Sequence, residues 1–178
     1  VLDIRVVDSK DATERLLLRW VERVGTSYAG VHMAAPQTAA SGEPGDREAA
    51  SRMAGAQATG RLRNSSLCLA REQACDFYFV VDVDVLVRPS TLRELIALDL
   101  PIVAPFLRSI DPADAFSNYH AAIDPNGYYH ECDQYSWILK RLVRGVVEMP
   151  VVKCSYLVRA DVLADLDYAD ATPRHDYV

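Results

Sequence analysis

The chain has 178 residues, 25 acidic against 19 basic for a net charge of −6, and half of it is hydrophobic. That length suits a single α/β domain with a core of useful size. The acidic balance leaves no footprint for nucleic acid or an anionic membrane surface, and no apolar run approaches the ~20 residues of a membrane span.

Leu2, Ile4 and Val6 alternate with Asp3, Arg5 and Val7, which predicts a strand at the very start. There is no signal-peptide layout before it. Asp8-Ser9-Lys10-Asp11 then offers capping groups for a helix carrying Leu16, Leu17, Trp20, Val21 and Val24, closed by Gly25. Val31-His32-Met33 predicts a short second strand. Residues 34–46 are rich in Ala, Ser, Gly and Pro and read as a loop. A long helix is expected from about Arg47 to Ala74, weakened at Gly55 and Gly60.

Phe77-Tyr78-Phe79-Val80-Val81 is a continuous β-prone run, expected to be among the most buried strands. It runs directly into Asp82-Val83-Asp84. Pro89-Ser90-Thr91 opens a new helix, with Thr91 and Glu94 at capping-box spacing. Ile102 to Pro105 is another predicted strand. Further on, Asp124-Pro125-Asn126-Gly127 signals a turn, Val146-Val147 and Ser155 to Val158 read as strands, and Ala160 to Leu166 as a short helix. Strands alternating with helices imply one α/β domain over residues 1–178, with a mostly parallel central sheet flanked by helices.

The four cysteines, Cys68, Cys75, Cys132 and Cys154, form no CxxC pair and have no zinc-type histidine spacing. They are expected to pack as free thiols, with a Cys132–Cys154 disulfide left open for a secreted protein. Asn64-Ser65-Ser66 is a formal glycosylation sequon, but it falls inside the long helical pattern.

Ligands of open α/β sheets bind beyond the carboxyl ends of the strands, where Asp82 and Asp84 are expected. Alternation along extended backbone points both carboxylates one way. Two adjacent carboxylates repel unless a cation or proton lies between them. A hard divalent ion would relieve that repulsion and could also take diphosphate oxygens. An acidic protein could bind an anionic nucleotide by this route. His120 and Trp137 are read as structural residues and Tyr128-Tyr129 as packed strand residues. Arg61, Arg63 and Arg71 are read as a solvated helix face, with phosphate contact as the sharper alternative.

The segment Cys75 to Asp84 resembles the D-Y-x-F-x-x-D-A-D stretch of the collagen-modifying glycosyltransferases, namely the procollagen galactosyltransferases and the glycosyltransferase-like domains of procollagen lysyl hydroxylases. The likeness continues through Thr91 to Ile96 and Val103-Ala104-Pro105-Phe106-Leu107. It then takes in Ser117-Asn118-Tyr119, Gly127-Tyr128-Tyr129, Arg144-Gly145, Met149-Pro150 and Tyr156 to Arg159. The resemblance implies a GT-A (Rossmann-like) fold, a UDP-sugar donor and a divalent metal, usually Mn²⁺. Asp82 and Asp84 match the family's metal and diphosphate motif. Arg61 and Arg63 lie near its basic helix, on the donor side. Asp176 falls near an acidic position with an acceptor-side or base role.

The implied partners are the nucleotide-sugar donor, a protein or glycan acceptor such as collagen hydroxylysine, and neighbouring domains of a longer parent chain. The family's first nucleotide-binding strand would precede Val1, and its metal-site histidine would follow Val178. The resemblance implies the secretory pathway for a eukaryotic member. It leaves two readings: a catalytic transferase domain, or a non-catalytic accessory module of a multidomain enzyme.

Overall fold

A computed structural model describes residues 1–6, 9–34, 47–111, 113, 116–125, 129–130 and 132–168, with side chains of the long helix from Ala58 onward. The described residues form two compact units, Val1–Leu62 and Arg63–Val178, and the division falls within that helix.

In the first unit, β1 (Leu2–Arg5) pairs in parallel with β2 (Val31–Ala34), Leu2 opposite Val31 and Arg5 opposite Ala34. Between them lies α1 (Thr13–Val24), which ends in a 3₁₀ turn at Gly25–Ser27. Asp11 caps its entry by accepting the Thr13 N–H at 2.9 Å. The long helix α2 (Arg47–Glu72) follows. It ends at Ala74, a non-glycine residue in the left-handed region (φ 48°) that turns the chain toward the next strand.

The second unit centres on a three-stranded sheet. Its strands are β3 (Phe77–Val81), β4 (Ile102–Val103) and a late strand, β7 (Ser155–Arg159), which lies between the other two. The helix α3 (Thr91–Ala97) connects β3 to β4. β7 is antiparallel to both, with Val81 opposite Ser155 and Val103 opposite Leu157. β3 and β4 therefore run the same way, as a strand–helix–strand unit requires, but they are not neighbours.

The expected mostly parallel sheet is thus corrected: among the described residues only the β1–β2 pair is parallel. An apolar run specifies a strand but not the direction of the strand beside it. The most buried strand is also a different one. β3 is half-buried, with Val81 exposed, whereas Ser155 to Val158 are all buried. A strand with a partner on each side is shielded along both edges, and β7 takes that place.

Alternation along the strands builds three layers. Tyr156 and Val158 of β7, with Tyr78 and Val80 of β3, face Leu67 and Ala70 of α2 and Leu163 of a 3₁₀ segment (Ala160–Asp165). Leu157, Phe77 and Phe79 face the opposite way, onto Leu95 of α3 and Val103. The guanidinium of Arg71, an exposed residue, donates to the carbonyls of Leu163 and Leu166 and so ties the 3₁₀ segment to the end of α2.

The remaining elements are short. β5 (Tyr119–His120) pairs with β6 (Val151–Val152), so the strand expected at Val146-Val147 lies a few residues later. A helix α4 (Asp133–Leu139) was not foreseen, and it leaves Trp137 half exposed rather than in the core. The Thr91–Glu94 capping box does not form. Thr91 is already helical, Ser90 stands at the cap without a side-chain bond, and the Glu94 N–H goes to the Ser90 carbonyl. Gly127 and Tyr128 lie outside the described residues. All four cysteines are free thiols, Cys68 exposed and the others half-buried. Asn64 is engaged by Asp167 and by the Tyr168 N–H, so the sequon serves as a packing contact. No described helix is long and apolar enough to cross a membrane.

Candidate functional site

β3 ends at Val81, and Asp82 is the first residue beyond its carboxyl end. Two backbone hydrogen bonds fix it there. Its N–H donates to the Cys154 carbonyl at 2.8 Å, and its own carbonyl accepts the Val85 N–H at 3.0 Å, closing a turn around Val83-Asp84. Asp82 is half-buried, while Asp84 is exposed at the tip of the turn.

The backbone facing Asp82 is strained. Cys154 has φ 68°, and the Ser155 N–H reaches back to the Lys153 carbonyl at 2.8 Å. This is a tight three-residue turn of an uncommon hand for a side-chain-bearing residue. It carries the chain from β6 into β7 and presents the Cys154 carbonyl to Asp82. The Cys154 thiol pKa is raised, chiefly by burial and then by the field of Asp82; Lys153 opposes this and Asp84 adds to it. Both carboxylates therefore contribute to the field at this one thiol.

Arg63, from the last part of α2, enters this site as well. Its Nη2 donates to Asp82 Oδ1 at 3.3 Å, and its side chain is only 13 % exposed. The guanidinium lies over the Tyr168 ring, 5.7 Å from the centroid. The Tyr168 hydroxyl is itself 2.6 Å from that of Tyr156. Burial disfavours the Arg63 charge, but Tyr156 and Asp82 more than offset it, so its pKa lies above the ordinary arginine value. A buried charge needs such a partner.

Arg61 is exposed and belongs to the first unit. Asp176 lies outside the described residues. His120 is buried and its ring meets Tyr129 at 4.9 Å, in keeping with its structural reading. No group of three or more His, Cys, Asp or Glu side chains converges among the described residues. The donor set at the β3 end is two carboxylates, which fits a small hard cation that takes one or two protein carboxylates and completes its shell with phosphate oxygens and water.

A groove of about 1280 Å³ in this unit is lined in part by Tyr156 and Tyr168. It is walled by apolar residues including Leu98, Ile102, Phe106, Val147 and Met149, and neither Asp82 nor Asp84 lines it. The sequence reading missed the Arg63–Asp82 pairing. The spacing of 19 residues carries no local signal, and only the placement of α2 over β3 brings the two together.

Residues 1–178 match the model of the glycosyltransferase family 25 N-terminal domain, and the chain belongs to that family. It is 31% identical over 175 residues to a probable inactive glycosyltransferase 25 family member 3 of Bos taurus, covering 94% of this chain and 28% of the relative. It is 34% identical over 118 residues to procollagen galactosyltransferase 1-A of Xenopus laevis, covering 66% and 19%. It is 33% identical over 106 residues to the human multifunctional procollagen lysine hydroxylase and glycosyltransferase LH3, covering 58% and 14%. The chain thus spans less than a third of each of these relatives. It is a glycosyltransferase-family domain whose relatives include enzymes and proteins described as inactive.

Proposed function

We propose that this chain is the donor-binding part of a metal-dependent, GT-A-type transferase that moves a hexose, galactose or glucose, from a UDP-sugar to a hydroxyl acceptor. The observation that carries this reading is the position of Asp82 and Asp84 in the turn just beyond the carboxyl end of β3, with the Asp82 N–H held by the Cys154 carbonyl. These two residues would hold a divalent cation, Mn²⁺ by resemblance to the family. Such an ion neutralises charge on the leaving diphosphate. Asp82 is fixed by its backbone bond to Cys154 and by Arg63, while Asp84 faces solvent and is free to meet an incoming ligand. Asp176 keeps its proposed acceptor-side role, activating or orienting the hydroxyl. The name of the Xenopus relative points to a collagen-like acceptor, and hydroxylysine would be the residue whose hydroxyl accepts the sugar.

A second reading is a non-catalytic family module that supports neighbouring domains. It is favoured by the relative described as probably inactive, which aligns with nearly the whole chain.

Thermal unfolding of the full-length protein separates the two. A ligand that binds only the native state at a hundredfold excess over Kd adds ~2.7 kcal/mol, or roughly 5–10 °C for a domain of this size. UDP with Mn²⁺ should give that shift together and far less separately, and Asp84→Asn should abolish it. Absence of any joint shift would establish the module reading. A joint shift surviving Asp84→Asn would move the nucleotide to another site.

A further inference from the structure

We propose that Arg63 is the resident counter-ion of Asp82 and competes with a divalent cation for it, so that metal binds tightly only when a diphosphate arrives with it. This rests on the metal-site reading of Asp82 and Asp84.

The two carboxylates of the motif are not equivalent. Asp84 is exposed and makes no ion pair among the described residues. Asp82 is paired, and its partner is fixed. Arg63 is largely buried and seated on the Tyr168 ring. Its neighbour Asn64 clamps the same segment through Asp167 and the Tyr168 N–H. Asp82 provides the only ion pair that Arg63 makes among the described residues. Its Nη1 is buried and makes no hydrogen bond there either. The Tyr156 hydroxyl, which also engages that of Tyr168, supports the Arg63 charge by its field and by a hydrogen bond but brings no carboxylate.

A guanidinium in this position has two consequences. Without ligand it neutralises one of two adjacent carboxylates, which relieves their repulsion and keeps the turn folded. A cation entering between Asp82 and Asp84 meets that positive charge at close range and is repelled. A diphosphate reverses the balance, because its negative charge satisfies both the metal and the arginine. Metal and nucleotide then bind with positive coupling, and the coupling is reciprocal.

The test is Mn²⁺ binding to the full-length protein, read from the spin-resonance signal of free Mn²⁺ with and without UDP. Removing the charge in Arg63→Met should tighten binding of Mn²⁺ alone by roughly tenfold and shrink the enhancement by UDP by a similar factor. Arg63→Lys, which keeps the charge, should behave as the unsubstituted protein. A residue that only supported the fold would act the other way, weakening Mn²⁺ when removed. The inference is therefore overturned if Mn²⁺·UDP binds the unsubstituted protein but Arg63→Met leaves the affinity for Mn²⁺ alone unchanged or lower. If the unsubstituted protein binds neither Mn²⁺ nor Mn²⁺·UDP, the site reading and this inference fall together. Should Arg63→Met fail to fold, the Arg63 Nε–H resonance of the unsubstituted protein decides. It should move on saturation with Mg²⁺ and UDP as the Asp82 bond is given up, and a resonance that stays in place overturns the proposal.

Discussion

Asn118 and Lys153 hold one another through both main chain and side chain. The Lys153 N–H donates to the Asn118 carbonyl at 2.9 Å, and Asn118 Nδ2 reaches the Lys153 carbonyl at 3.4 Å. The same amide donates to Pro105 and accepts from the Leu107 N–H, both at 2.9 Å, so one buried side chain gathers three chain segments beside the strained Cys154 turn. Asn118→Ala should leave several buried backbone groups without partners. The expected loss is about 2–4 kcal/mol, a fall in Tm of roughly 5–15 °C by calorimetry. Loss of the joint UDP and Mn²⁺ response should accompany it, because the turn facing Asp82 is released.

The two carboxylates of the motif should differ in their effect on stability. Asp84 is exposed and unpaired among the described residues, so Asp84→Asn should change stability by no more than a few tenths of a kcal/mol. Asp82→Asn leaves the buried guanidinium of Arg63 without its ion pair and should cost about 1–2 kcal/mol. Paired denaturation curves of the two variants would check the difference.

Ala74 has φ 48°, a conformation that a glycine adopts without strain. It closes α2, with the Cys75 N–H bonded to the Ala70 carbonyl at 3.0 Å. Ala74→Gly is expected to stabilise the protein by about 0.5–1 kcal/mol, seen as a higher urea midpoint at an unchanged slope.

Burial, and secondarily the charge of Lys153, lowers the pKa of His120. The folded state therefore favours the neutral ring. Above about pH 6.5 the ring is neutral in both states, and there is no penalty. As the pH falls below that value, the unfolded chain takes up a proton that the folded chain resists, and stability declines. His120→Gln should flatten this acid limb of a stability-versus-pH curve.

Tyr119 is buried and donates its hydroxyl proton to the Tyr135 carbonyl at 2.9 Å. Burial, then Tyr135, pushes its pKa up to about 12. The folded state prefers the neutral phenol, so this contribution is intact below about pH 10 and is lost as the pH rises from there toward 12. Ultraviolet titration of the folded protein should show a tyrosine ionising near that value, absent in Tyr119→Phe.

Much of the fold was readable because each long element carries its own signal. Leu16, Leu17, Trp20 and Val24 mark α1, and Phe77 to Val81 mark β3 with its bounds. What the sequence hid depends on partners distant along the chain. Nothing in Ser155 to Arg159 says that this strand inserts between β3 and β4, or that it runs against both. Val151-Val152 pairs with Tyr119-His120 across a long interval, and two-residue strands have no periodicity to detect. The acidic pair at the end of β3 was legible, since an apolar strand that stops at a carboxylate locates itself. Arg63 was visible as a basic residue near the motif, but its engagement with Asp82 depends on tertiary placement.

The late arrival of β7 also sets an order on biosynthesis. β3 and β4 leave the ribosome well before the strand that joins them, and until Ser155 to Arg159 emerge, each presents an unpaired apolar edge. Such edges recruit strands from other chains. A translation stop or truncation between Ile102-Val103 and Cys154 would therefore yield an aggregation-prone intermediate that holds Asp82 and Asp84 but lacks the Cys154 carbonyl to which the Asp82 N–H is bonded. Nascent chains of this protein should depend on chaperone protection until nearly the whole of the second unit has been made.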